Sequence, residues 1–124
     1  MKYLMLSYTP IDTWNDTGDE PPDEALAAFA AYQQFIDELT ASGEFVAAEG
    51  LSHPSTARTV RPSATEVVVT DGPFAELKEV LASYAVIDCV GYERATEIAQ
   101  RIVSTIGEPV ELRPIMGEEF GADF

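Results

Sequence analysis

"LASYAVIDCV", residues 81–90, decides the fold, because neither of its two faces is polar: Tyr84, Val86 and Val90 alternate with Ala85, Ile87 and Cys89. Successive side chains of a strand point to opposite sides of the sheet, so a strand apolar on both sides needs cover on both. "KYLMLSY", residues 2–8, has the same character, with Leu4 and Leu6 alternating with Tyr3 and Met5. A sheet built on these two strands requires two covering layers.

The chain supplies one of them. Asp23 can cap a helix in which Phe29, Tyr32, Ile36 and Leu39 recur at helical spacing, and Gly43 stops it. A second helix runs from about Glu93 to Ile106, with Ala95, Ile98, Ala99, Ile102 and Ile106 on one face and Gly107 at its end. Further strands fall at 44–51 and 109–115. Residues 52–70 read as two short strands around a turn near Pro62 and Ser63, the second ending in "VVVT" as a buried strand. Residues 9–22 read as a loop and "GEEFGADF" as a short acidic tail. The order β-α-β, hairpin, β-α-β is the split βαβ plan, so the fold class is α+β, ferredoxin-like, in a single domain over residues 1–124. Two helices cover one face of such a sheet. A second copy of the sheet is the simplest cover for the other, which predicts a homodimer closed face to face as a dimeric α+β barrel.

Charge narrows the partners. Seven Lys and Arg stand against 22 Asp and Glu, a formal net charge of −15. That field repels phosphates and anionic bilayers, so neither nucleic acid nor membrane is an expected partner. No apolar run reaches membrane-spanning length. Cys89 is the single cysteine and sits in an apolar run, as expected of a small core residue in a reducing compartment. The opening "MKYLMLSYTP" is too short and too polar at its end for a secretory signal, and the expected location is cytoplasmic.

Familiar chemistry is missing. The sequence has no nucleophile elbow, phosphate loop, dinucleotide fingerprint or zinc pattern. Residues 12–24 lack calcium-loop spacing, since Trp14 and Thr17 stand where an acid or amide and a glycine are required. No metal or cofactor is expected.

The stretch that carries site-like features is "TDGPFAELKE", residues 70–79. Asp71 follows a strand and precedes Gly72-Pro73, a sharp turn. It is either a turn-forming Asp bonded to its own backbone or a carboxylate held at a pocket mouth as a base or anchor. Phe74 is either a plug on the core or a pocket wall. Glu76 and Lys78 are either solvated charges or cleft groups, with Lys78 suited to an acidic ligand. His53, in "SHPST", is the single histidine, the residue type whose protonation changes near neutral pH. Arg61, Asp88, Glu111 and Arg113 form a further charged set, either structural ion pairs or polar groups of a barrel lumen.

"VTDGPFAELKE", followed by "YAVIDC" and "VELRPI" and preceded by "ASGEFVAAEGL" and "ARTVRPS", resembles the DGPF branch of the YCII-related proteins over most of the chain. The resemblance implies a ferredoxin-like fold that dimerises as an α+β barrel. For the wider group it implies small-molecule chemistry using a His and an Asp, and for DGPF proteins an association with regulators of transcription initiation. Two positions depart from the pattern. Tyr32, counted back from Gly43, stands where the family carries its His, and Ala82-Ser83 replaces a Gly-Gly pair. A His53–Asp71 pair would be a substitute dyad, with Phe74, Glu76, Lys78, Arg61, Tyr32 and Tyr84 as ligand-binding candidates. The two open readings are an enzyme or binding protein with a cleft beside the DGPF loop, and a regulatory or interaction module without chemistry.

Overall fold

Tyr3, Met5, Ala85, Ile87 and Cys89 are all buried in one core, which fixes the helix-facing side of the sheet. The computed structural model describes residues 1–12, 23–73 and 78–117. Strands β1 (Lys2–Pro10), β2 (Phe45–Gly50), β5 (Glu79–Asp88) and β6 (Val110–Pro114) form an antiparallel sheet in the order β2-β5-β1-β6. Helices α1 (Asp23–Ser42) and α2 (Tyr92–Ile106) connect β1 to β2 and β5 to β6. This is the split βαβ arrangement, with β3 (Arg58–Pro62) and β4 (Val67–Asp71) inserted as a separate two-stranded ribbon.

Both helices end on the predicted glycines. Gly43 and Gly107 each have φ +83°, which glycine adopts without a Cβ clash. The Glu44 N–H donates to the Leu39 carbonyl and the Gly43 N–H to that of Thr40, the paired bonds of a Schellman cap. Gly107 closes α2 with one bond to the Val103 carbonyl. The predicted α2 face is buried at Ala95, Ile98, Ala99 and Ile102.

Three expectations need correction. In α1 the buried side chains are Phe35 and Leu39, with Tyr32 and Ile36 packed at the margin, whereas Phe29 is 64% exposed. Residues 23–30 contribute no buried side chain, so the apolar stripe turns inward only from Tyr32 onward. Strand β1 runs two residues beyond its hydrophobic pattern, to Pro10, and β5 is displaced by two residues, spanning Glu79–Asp88 instead of 81–90, so that Pro10 lies opposite Glu79. A bulge between Ser7 and Tyr8 shifts the register there and breaks the simple alternation. Finally, "VVVT" is not buried: Val67, Val68 and Val69 are all exposed, because β4 pairs with β3 alone.

A bidentate ion pair joins the start of β2 to α2. Arg94 Nε and Nη2 each donate to the Glu44 carboxylate at 2.8 Å. These bonds hold the Glu44 carboxyl down at about 2. Across the helices, Arg101 pairs with Glu38 and lies 4.1 Å over the Phe35 ring.

Candidate functional site

The link from β2 to β3 makes a short 3₁₀ turn at Pro54–Thr56, and His53 caps it. The Ser55 N–H donates to His53 Nδ1 at 3.1 Å, so a neutral imidazole carries its proton on Nε2. The His53 carbonyl accepts from the Thr56 hydroxyl and N–H at 2.7 and 2.9 Å. The ring is thereby held by its own turn.

The Asp71-Gly72-Pro73 turn lies against this segment. Gly72, at φ +102°, donates its N–H to the Ala57 carbonyl at 2.8 Å and accepts the buried Thr59 hydroxyl at 2.8 Å. Ala57 and Thr59 therefore close the turn. The Asp71 carboxylate makes no hydrogen bond or ion pair among the described residues, so it is not the group that forms the turn. Asp71 is exposed and sits opposite Arg58, on the ribbon face that also carries Val60, Val67 and Val69.

His53 and Pro73 line the same cavity, of about 550 Å³. Tyr8, Leu51, Val80 and Leu81 give it apolar walls, and Glu79, Ser52 and Thr56 add polar atoms. Pro73 is the residue of the turn that lines this cavity, and Asp71 is not among its lining residues. Phe74 and Glu76 lie outside the described residues. Lys78 is exposed, and its carbonyl accepts from the Ile11 N–H at 2.7 Å.

Tyr32 of α1 and Tyr84 of β5 both line another cavity, of about 610 Å³, between the helices and the sheet, although the Tyr84 side chain alternates to the opposite face from buried Ala85. Burial pushes the Tyr32 phenol above its ordinary value. Thr9 and Glu108 line this cavity too, and the Thr9 hydroxyl donates to Glu108 Oε2 at 2.6 Å. Sequence reading misses this pair because its members lie 99 residues apart and meet only through the β1–β6 end of the sheet.

The remaining charged set divides between sheets. Glu111 and Arg113 share a face of β6, 3.8 Å apart and both exposed, and Asp88 on β5 lies 3.0 Å from the Met1 amino group. Arg61 stands on β3, in the separate ribbon. Among the described residues no group of three or more His, Cys, Asp or Glu is arranged to hold a metal ion. No helix among them is long and apolar enough to cross a membrane.

A split βαβ sheet with two helices on one face and apolar-walled cavities defines a ferredoxin-like α+β domain with room for small molecules. The YCII-related domain model matches residues 1–117, and the chain belongs to that family. It is also similar to an uncharacterized protein of Rhizobium meliloti, 31% identical over 100 residues that cover 81% of this chain and 78% of the relative.

Proposed function

We propose that the chain is a small-molecule-binding protein of the DGPF branch, acting as a cytoplasmic homodimer, with its ligand in the His53–Pro73 cavity. The observation that carries the reading is that the single histidine and Pro73 of the Asp-Gly-Pro turn, about twenty residues apart, line one cavity. Its composition suits a compact, largely apolar molecule with one or two polar atoms, met by the fixed imidazole. Any chemistry would rest on His53 as the proton-transfer group, with Asp71 outside on the rim.

The dimer is supported by the sheet face opposite the helices, where Leu4, Leu6, Tyr84 and Val86 are half-buried and lie in register. Val60, Val67 and Val69 add an exposed apolar face on the ribbon, 58–66% accessible. That valine face also favours a second reading, an interaction module whose partner is another protein. The single buried Cys89 suits a reducing compartment.

The test is a fragment screen by amide NMR on the labelled protein, repeated with Ala57→Trp to fill the cavity. Hits should move signals from Ser52, Thr56, Ala57 and Leu81, and lose affinity at least tenfold in the filled variant. Hits that map solely elsewhere, or bind the filled variant equally well, refute the assignment.

A further inference from the structure

The cavity between the helices and the sheet shares no lining residue with the His53–Pro73 cavity. Its walls are apolar on several sides, from Phe29 and Ile36 of α1, Ile102 and Ile106 of α2, and Phe45 and Val110 of the sheet. The charged residues among those lining it are Glu49 and Glu108, with no Lys, Arg or His.

Glu108 is half-buried and has a single bond among the described residues, from the neutral Thr9 hydroxyl. Thr9 is itself buried, so this donor is fixed by the fold. A partly desolvated carboxylate beside an apolar wall is stabilised by a cation, and the described residues bring none to it. Tyr32 also lines the cavity, and its hydroxyl has no hydrogen-bond partner among the described residues. Burial raises the phenol further above neutrality, so it stays protonated and can accept from a ligand N–H through its oxygen.

We propose that this cavity binds an amphipathic amine: an alkyl or aryl body against Phe29, Ile36, Phe45, Ile102 and Ile106, and a protonated nitrogen at Glu108. A volume of about 610 Å³ falls within the ordinary range for small-molecule sites. The net charge of −15 disfavours anionic ligands of the same shape and steers cations inward.

The experiment compares three probes of one size on the full chain: hexylamine, 1-hexanol and hexanoate. Amide NMR titrations are run at about 0.15 M ionic strength, where exposed charges more than about 8 Å apart are largely screened. Hexylamine should shift signals from Gly50, Ser83, Ile106 and Glu108, and bind at least tenfold more tightly than hexanol and hexanoate. A charge-assisted hydrogen bond is worth about 1.5–3 kcal/mol, so Glu108→Gln should weaken hexylamine by about tenfold to a hundredfold and should weaken hexanol far less. Equal affinities for the three probes, or amine shifts scattered over the acidic surface, overturn the proposal. Should Glu108→Gln not fold, the comparison on the unaltered protein decides alone. Shifts confined to Ser52, Thr56 and Leu81 would move the amine to the other cavity and end this proposal while leaving the earlier one standing.

Discussion

Replacing Glu44 with Gln tests the pin that locks β2 to α2. The variant keeps the side-chain shape and can still bond the Ser42 hydroxyl, which lies 2.8 Å from the carboxylate, but it loses the charge facing Arg94. In the fold the Glu44 carboxyl titrates at about 2, against an ordinary 4.5. Each unit of difference is worth about 1.4 kcal/mol, so the shift sets a ceiling of about 3.5 kcal/mol. Arg94 is 37% exposed and Glu44 17%, so solvent screens part of this, and exposed pairs contribute about 0–1 kcal/mol. We expect Glu44→Gln to cost about 1–2 kcal/mol near neutral pH, a fall in urea midpoint of roughly 0.5–1 M. Because the folded value is the depressed one, the contribution is complete above pH 4.5 and is lost as pH falls toward 2. Urea titrations of both proteins at several pH values read this directly. Equal stability at neutral pH, or a gap that persists unchanged at pH 2, would refute the reasoning.

Other substitutions separate competing readings of single residues. Phe35→Ala should cost about 3–5 kcal/mol in urea unfolding, as for a large side chain removed from a core, whereas Phe29→Ala should stay within about 0.5 kcal/mol. Asp71→Asn and Asp71→Ala should both leave stability within about 0.5 kcal/mol, since Ala57 and Thr59 close the turn; a loss of 1 kcal/mol or more in the Ala variant would return Asp71 to a structural role. Cys89 is 7% exposed and should react slowly with a thiol reagent in the native state and rapidly in urea; fast native modification would show that the core is open.

The sequence made the α+β plan legible because its strongest signals are local. Gly43 and Gly107 mark helix ends by backbone geometry, and the alternation of Ala85, Ile87 and Cys89 marks the helix-facing side of β5. The errors arose where a residue's environment depends on a distant element. Phe29 and Phe35 both fit a helical stripe, and only the extent of the sheet beneath α1 distinguishes them. Val67–Val69 look like a core strand by composition, yet the ribbon's isolation leaves them in solvent. At the site, His53 and the Asp-Gly-Pro turn were legible as motifs. Their shared cavity depends on the Gly72–Ala57 bond, which joins two loops and has no local signature. Thr9 and Glu108 were invisible for the same reason at longer range.

The most direct test of the account is a crystal structure of the protein with a screening hit bound. Ordered density for the hit is expected between His53 and Pro73, with a polar atom in hydrogen-bond reach of the imidazole and its body against Leu51 and Leu81. Density for the hit at another surface, or a His53–Pro73 cavity filled by the protein's own side chains, would contradict it.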